Sequence, residues 1–439
     1  MFTLPLAVTA ILARLEDAGF AAYAVGGAIR DLIRGVAPHD WDITTAALPE
    51  QVMEVFEGET IIPTGIKHGT VTLVIDHIPY EITTFRGDVG YSDHRRPDAV
   101  EFLDSIEADL ARRDFTAGAI AYSPTRGFCD PFDGVADVKA GILRAVGDPM
   151  TRFEEDGLRI LRALRFASAC EFAIEGNTAC AIHQGKRLIA PIAVERIYSE
   201  LTRTLCGEGV EEVLLSYGDV IAVAIPELEP LFGCPQNSPF HNKDVWAHTA
   251  ASVAAAPADP ILRWTMLLHD IAKPDCRVRD GAGTDHFPSH PETGAPIAEA
   301  ILDRLKAERA TRETVTALVA LHDIPLPTER GEMHRLLIRL GRERTEQLFA
   351  VKQADLAAKA PFAACHGRDR SLSPAMELAN ALLSQGVPLS VRELAVSGSD
   401  LIALGYRGKA IGEALESLLI AVTNGAPNEK AALLHRLSI

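Results

Sequence analysis

A chain of 439 residues, 47% of them hydrophobic, can bury several cores, and its length favours two to four domains over one. No apolar run reaches membrane-spanning length, the first twenty residues are interrupted by Arg14, Glu16 and Asp17 with no small-residue cleavage site behind them, and the seven scattered cysteines (129, 170, 180, 206, 234, 276, 365) contain no CxxC pair, so a membrane span, an export signal, a disulfide framework and a zinc knuckle are all disfavoured and a reducing cytoplasm fits. The net charge of −17 argues against nucleic-acid binding by global attraction and leaves only local basic sites for it.

Apolar positions at helical spacing predict a helix over residues 5–18, after which AAYAVGG reads as a short buried strand running into a glycine turn. The β-branched segments TVTLVI and YEITTF, joined by DHIP, predict a strand pair in a small mixed sheet. From Asp148 the character changes: TRFEEDGLRILRALRFASAC reads as one strong helix with Thr151 as its N-cap, acids in its first turn and leucines interleaved with arginines. Beyond residue 190 the pattern is almost wholly helical, broken at PELEP, AAPADP and DIPLP, with no strand-rich segment; the tail after residue 366 reads as a small helical lobe. The expected fold is α+β, with a small mixed-sheet head over residues 1–140, a helical neck over 141–235, a helical body over 236–365 and a helical tail over 366–439.

Chemistry first gathers in VGGAIRD followed by HDWDITT. Gly26 and Gly27 let the backbone approach a phosphate chain, and Arg30 can neutralise its charge. Asp40 and Asp42, two apart on an extended segment, project from one face and can share a divalent ion, with Glu81 on the following strand pair as a candidate third carboxylate. Taken singly, the glycines read equally as a turn and the acids as a loop. Basic residues concentrate at Arg95-Arg96, at Arg112-Arg113, and at Arg159, Arg162 and Arg165; each group alone reads equally as solvated surface.

GGAIRDLIRGVAPHDWDITT resembles the opening motif of the class II CCA-adding tRNA nucleotidyltransferase and bacterial poly(A) polymerase family. TGIKHGTVTLVI, ITTFRGDVGYSDHRRPDAVEF, DLARRDFTAGAIA, DPFDGVADVKAGILRAVGDP, EEDGLRILRALRFA and AVERIYSEL follow in the family's order, so the resemblance runs from about residue 20 to 205. It implies a polymerase-beta-like head in which Gly27 and Arg30 contact the triphosphate, Asp40 and Asp42 hold magnesium, Arg113 and Asp114 lie near the sugar, and the helix bearing Glu155, Asp156 and Arg159 selects the base. Asp156 and Arg159, three apart on a helix, set an acceptor beside a planar fork of donors, which matches the amino group and adjacent ring nitrogen of cytosine and adenine. Uracil and guanine present the reverse pattern and would leave buried groups unpaired, at about 1–3 kcal/mol each. An intrahelical ion pair on a solvated face is the bland alternative for these two residues. Arg162 and Arg165 drift around the same helix toward phosphates or the RNA end. One departure stands out: the family usually reads RRDFTxNA, and this chain has Gly118 in place of the asparagine, which predicts some loss of local order near the sugar site.

In the body, His248, the His269-Asp270 pair, His290 and His322, itself followed by Asp323, precede Asp355 in a helix-rich stretch. Imidazoles with carboxylates suit a divalent transition metal that activates water for phosphoester hydrolysis. WAHTAASV, LLHDIAKP, FPSHPETGA, VALHDIPLP and QADLAAK resemble, in order, the metal-binding segments of HD-superfamily phosphohydrolases. That resemblance implies His248, His269, Asp270 and Asp355 as the basic ligand set, with His290 and His322 available for a second ion.

The function these readings imply is template-independent addition of CMP and AMP, from CTP and ATP, to the 3′ end of tRNA, with HD-type hydrolysis of phosphate from damaged RNA 3′ ends and a tRNA-binding tail. TGIKHGTV resembles the CCA-adding branch more than the poly(A) branch, and Arg86 to Pro97 resembles the flexible loop of enzymes able to add the terminal A. Poly(A) synthesis, partial CC-only or A-only addition, and a metal phosphohydrolase with an RNA-binding head are the alternatives. No DNA or membrane partner is expected, and the sequence sets no oligomeric state.

Overall fold

The computed structural model describes residues 3–38, 40–89, 99–360 and 372–437, so His39, Arg95, Arg96, Cys365 and most of the Arg86 to Pro97 segment lie outside the described residues. The chain forms two compact units, Met1–Pro226 and Glu227–Ile439. Among the described residues no helix is long and apolar enough to cross a membrane.

The first unit opens with α1 (Leu6–Asp17), β1 (Ala22–Val25), α2 (Gly27–Arg34), β2 (Asp42–Thr45), α3 (Pro49–Val55), β3 (Thr60–Gly65), β4 (Thr70–Ile75) and β5 (Ile78–Thr84). The pair β6 (Arg86–Val89) and β7 (Ala99–Phe102) follows, then α4 (Ile106–Ala111), β8 (Ala121–Ser123), β9 (Gly127–Cys129) and α5 (Gly134–Ala140). Seven of these strands make one mixed sheet in the order β3-β4-β5-β2-β1-β8-β9. The strand pair expected from TVTLVI and YEITTF is β4 and β5, joined by Asp76 and His77, both at positive φ as a two-residue hairpin turn of the I′ kind requires. Every residue of β1 is buried, and Tyr23 and Val25 pack with Phe85, Ile106, Leu110 and Val146 in the head core.

The neck departs from the single helix expected after Asp148. Asp148 itself is the N-cap, its side chain accepting from the Thr151 N–H at 2.8 Å, and the chain makes α6 (Pro149–Glu155), breaks, and resumes as α7 (Leu158–Cys170). The break falls at Asp156, extended at φ −144° and ψ 106°; Gly157 beside it is already helical, and a Cβ there would sit 2.3 Å from the Leu188 carbonyl oxygen, so only glycine lets that later segment pack against it. Short strands Ile142–Leu143 and Ala173–Ile174 pair in parallel across this region, and α8 (Gly176–Gly185), α9 (Val194–Leu205) and α10 (Val210–Ile221) complete the unit.

The second unit holds α11 (Val245–Ala255), α12 (Pro260–Leu268), α13 (His290–Arg304), α14 (Arg309–Leu321) and α15 (Arg330–Ala358), the last interrupted at Gly341, whose φ is 73°. It is not wholly helical: Val278–Arg279 and Asp285–His286 pair as a small antiparallel hairpin, pinned because Arg277 and Arg279 both bind the buried Asp285 carboxylate. The tail helices Leu372–Ser384, Gly398–Ala403, Lys409–Thr423 and Lys430–Leu437 follow, and the last three carry residues of a local core built on Leu401, Leu418, Val422 and Leu433.

Candidate functional site

Sheet register builds the first site. β1 pairs antiparallel with β2, Val25 opposite Asp42, and β2 pairs in parallel with β5, Asp42 opposite Glu81. Side chains of in-register neighbours share a face. Asp42 and Glu81 therefore line one cleft of about 480 Å³, whose walls also carry Arg112, Arg113, Asp114, Asp156, Arg159, Arg162 and Arg196. Desolvation within the cleft, and then the charge of Glu81, raise the Asp42 carboxyl above its ordinary value against the pull of Arg113; the exposed Asp40 adds a smaller push. Adjacent like charges of this kind are the donor set a divalent cation stabilises.

Gly26 caps α2 at φ 73° and ψ −130°, and a Cβ there would lie 3.1 Å from Arg113 Nη1 and 4.0 Å from Asp42 Oδ2. Backbone conformation and close approach both demand glycine. Gly27 opens α2 beside it. Arg30 is clamped by its neighbour, Nε and Nη2 donating to the two Asp31 oxygens at 2.9 and 3.1 Å, and it lines a small hollow with Asp114, Gly118 and Phe166 instead of the cleft wall.

The Arg112-Arg113 pair owes its position to Asp109, which the sequence reading missed although three- and four-residue spacing on α4 was available as a signal. Asp109 is fully buried; Oδ1 accepts from Arg112 Nη2 at 2.9 Å and Oδ2 from Arg113 Nη2 at 3.4 Å. Arg113 Nη1 also donates to the Gly118 carbonyl at 3.3 Å, and burial pulls its guanidinium below the ordinary value. A Cβ at Gly118 would meet Asp114 Oδ1 at 3.8 Å, an ordinary contact, so the position has room for a side chain. Asp114 instead takes a guanidinium: Arg162 Nη2 and Nε lie 2.6 and 2.7 Å from Oδ2. Burial, the largest influence, would raise the Asp114 carboxyl, but Arg162 together with Arg159 and the Phe115 N–H holds the acid below its ordinary value.

Asp156 and Arg159 do meet in the cleft, though not as neighbours on a continuous helix. Asp156 is extended, its Oδ1 accepts from the Leu158 N–H at 3.0 Å to cap α7, and its backbone carbonyl accepts from the Arg159 N–H. Arg159 is buried and ion-paired with Glu155 through Nη1, which also donates to the Arg152 carbonyl at 3.1 Å, while Nη2 donates to the Arg112 carbonyl at 3.2 Å. The guanidinium plane is thus fixed by three partners. Arg196, from α9, lies 3.4 Å from Asp156 Oδ2; nothing local in the sequence pointed to it. Arg165 is off the cleft wall, held by Glu200 at 3.3 Å.

Helix ends build the second site. His269 follows α12, His290 opens α13 and His322 follows α14, and each ring directs Nδ1 at the carbonyl three residues earlier: Met266 at 2.6 Å, Phe287 at 2.8 Å and Val319 at 2.8 Å. That bond places a proton on Nδ1 and turns Nε2 inward, where it can serve as a ligand once unprotonated. His248 Nε2 lies 3.0 Å from Asp355 Oδ1 and 3.4 Å from His269 Nε2; His290 Nε2 lies 3.1 Å from His322 Nε2 and 3.3 Å from Asp270 Oδ1. His248, His269 and Asp270 form one group whose potential ligand atoms all lie within 4.8 Å, and Asp270, His290 and His322 form a second. Asp270 belongs to both. Burial opposes ionisation of Asp270, but His269 and Lys273 overcome it and hold the carboxyl well below its ordinary value.

Residues unforeseen from sequence complete this site. Lys273 Nζ is 2.7 Å from Asp270 Oδ2, and Lys359 Nζ is 2.7 Å from Asp355 Oδ2. His241, with neither ring nitrogen hydrogen-bonded among the described residues, is depressed to about 3 by burial and then by Lys273. These groups open on a cavity of about 590 Å³ walled also by Phe240, Val278 and Phe287.

The poly(A) polymerase head domain model matches residues 22–144, and the model for the probable RNA- and SrmB-binding site of polymerase A matches residues 171–230. The chain is 33% identical over 432 residues to the CCA-adding enzyme of Lactobacillus delbrueckii subsp. bulgaricus, covering 98% of this chain and 96% of that one. It is 34% identical over 427 residues to the CCA-adding enzyme of Levilactobacillus brevis, covering 96% and 95%. Among solved structures, the Bacillus stearothermophilus CCA-adding enzyme in complex with CTP superposes with a TM-score of 0.73 at 31% identity over 98% of this chain and 97% of that one. The Thermotoga maritima CCA-adding enzyme complexed with tRNA shares the fold, with a TM-score of 0.61 at 18% identity over 99% and 96%. Likeness at this identity along almost the whole chain makes the protein a member of the CCA-adding enzyme family.

Proposed function

We infer that this protein adds CMP and AMP to the 3′ end of tRNA from CTP and ATP, releasing pyrophosphate. Near full-length likeness to CCA-adding enzymes carries the reading, and the relatives solved with CTP, with ATP and with tRNA support its substrates. In the reaction the RNA 3′ hydroxyl attacks the α-phosphorus, a new P–O bond forms and the bond to pyrophosphate breaks. Enzymes of this family use a divalent metal; here Asp40 and Asp42 would hold magnesium, with Glu81 beside them, and the ion would lower the pKa of the attacking hydroxyl and balance charge on the leaving pyrophosphate. Arg112 and Arg113, anchored on Asp109, face the same cleft and can take up phosphate charge. Gly26 and Gly27 allow close backbone approach at the start of α2, and Asp114 is available near the sugar.

Base choice falls to Asp156 and Arg159. Their partners fix both groups before a nucleotide arrives, so a base with the wrong donor and acceptor order meets groups that do not rotate to suit it. The test is product sequencing on tRNA lacking CCA, ending in CC, and complete, with each nucleotide supplied alone. CCA is the expected product; a product ending at CC, a single A, or a poly(A) run would replace this reading with partial addition or polyadenylation. The division into head, neck, HD-type body and tRNA-binding tail at residues 140, 235 and 365 belongs to the same proposal, as does a cytoplasmic location, where tRNA ends are repaired.

A second reading is favoured by one observation, the three Nδ1-to-carbonyl bonds that turn Nε2 of His269, His290 and His322 inward. His248, His269, Asp270 and Asp355 would hold a divalent transition metal, with His290 and His322 serving a second, and water activation there suits removal of phosphate from RNA 3′ ends. Phosphate release from an oligoribonucleotide bearing a 3′-phosphate or 2′,3′-cyclic phosphate, in added Ni²⁺, Co²⁺ or Mn²⁺, tests it. Release that survives His269→Ala would dismiss the site. A phosphohydrolase lacking any nucleotide incorporation would instead make the head an RNA-binding module.

A further inference from the structure

Phe166 has no place in the chemistry above, yet three guanidiniums converge on it. Its ring centroid lies 4.3 Å from the Arg165 Cζ, 5.2 Å from that of Arg30 and 5.6 Å from that of Arg162, and the Phe115 ring meets it edge-on at 5.8 Å. Each arginine keeps a carboxylate of its own: Asp31 at 2.9 Å for Arg30, Asp114 at 2.6 Å for Arg162, and Glu200 at 3.3 Å for Arg165. Those carboxylates offset much of the repulsion among the three guanidiniums, and the ring they share adds an attraction of its own. The faces of an aromatic ring supply that attraction through the quadrupole, within about 6 Å of the centroid. Of the three arginines only Arg162 stands on the cleft wall, together with its partner Asp114; Arg30 and Arg165 do not line it, and Arg30 lines the small hollow beside Phe166. The ring therefore joins a residue that faces substrate to two that do not.

We propose that Phe166 is a positioning residue for nucleotide binding, its π face holding Arg162, and through Arg162 the Asp114 carboxylate, in place at the cleft wall. Arg30 from α2 and Arg165, the residue before Phe166 in α7, flank the ring, so the glycine turn and the base-selecting segment share one aromatic anchor. The proposal rests on the cleft being the nucleotide site.

The test keeps the ring's shape and changes its charge distribution. Phe166 is replaced by mono-, tri- and pentafluorophenylalanine in the full chain, and KM for CTP and ATP, kcat for tRNA extension and the melting temperature are measured alongside Phe166→Tyr. KM is expected to rise stepwise with fluorine, to about 5–10-fold for the pentafluoro ring, with kcat within about twofold and Phe166→Tyr within about twofold of wild type. A flat KM across the series overturns the proposal. So does a parallel fall of KM performance, kcat and melting temperature, the pattern of a packing residue. If the unsubstituted protein extends no tRNA, the nucleotidyltransfer reading fails by itself, and CTP affinity by calorimetry over the same series then decides the role of Phe166 by the same criterion.

Discussion

The head cleft and the histidine cluster both gather acids and bases, but they balance charge in opposite ways. In the cleft several wall arginines are matched with carboxylates, Arg112 and Arg113 with Asp109 and Arg162 with Asp114, while Asp42 is left beside Glu81 with its carboxyl raised. In the cluster the acids are provided for: Asp270 has Lys273 and Asp355 has Lys359, and both carboxyls stay well below their ordinary values. An acid pair offset only by the pull of Arg113 is a place that a cation would stabilise. A cluster already neutralised by lysines can remain folded without one. The difference also has an architectural source, because sheet register brings distant residues together whereas helix ends orient each imidazole by a bond to its own preceding turn.

The sharpest way to break this comparison is to remove one acid from each site. Asp42→Asn is expected to lower nucleotide incorporation at least about a thousandfold while leaving phosphate release intact, and Asp270→Asn to do the reverse. Loss of both activities from either change would mean the sites are not separate. Metal removal comes next: chelator-treated protein should lose incorporation until Mg²⁺ returns, and circular dichroism should find the second unit still folded. Its unfolding on chelation would show that the lysines do not balance the cluster. Within the head, Asp109→Asn leaves two arginines without their buried partner. A destabilisation of about 2–4 kcal/mol in denaturant melts, with at least about tenfold weaker CTP binding, is expected.

Gly118→Ala probes the same wall gently, since its Cβ would make only an ordinary contact with Asp114 and its φ is not positive. The expected outcome is a gain of about 0.4–1 kcal/mol by reducing the freedom of the unfolded chain. The smallest effect belongs to the tail, where Lys430 and the Ser397 backbone N–H lower Asp400 from its ordinary 3.8 to about 2. A depressed acid contributes stability that is present above its unfolded value and lost as pH falls toward the folded one. Asp400→Asn should therefore lower the melting temperature slightly at neutral pH, and the gap from wild type should narrow once pH drops below about 4.

Much of the fold and of the residues gathered in both candidate sites was legible beforehand because the motifs are local: the glycine turn, Asp42, the His-Asp dipeptide and the ordered run that follows each; Asp40, exposed ahead of β2, does not line the cleft. Arg196 was invisible, since only the folding of α9 against the neck brings it to Asp156. Lys273 and Lys359 stand three and four residues after Asp270 and Asp355, a readable spacing, but nothing in the sequence said that these pairs would line a cavity, and Phe166 looked like any apolar helix position. The break between α6 and α7 was missed because helical periodicity runs on through EEDGLRIL, whereas Asp156 turns extended to cap α7 and meets Arg196 from far along the chain. Asp109 is the same case: its spacing from Arg112 and Arg113 was readable, but a charged residue gives no sign in sequence that it will be buried.

The alignment of β2 with β5 carries one more consequence. Glu81 is flanked by Tyr80 and Ile82, only 5% and 1% exposed, on the face opposite the cleft. Strand side chains alternate, so a slip of one residue would swing Glu81 into the hydrophobic interior and turn those two buried residues toward water. A single alignment thus sets both the carboxylate partner of Asp42 and the packing under it. Misaligned folding of the head would be rejected by the hydrophobic layer before it could yield a folded protein with a defective cleft.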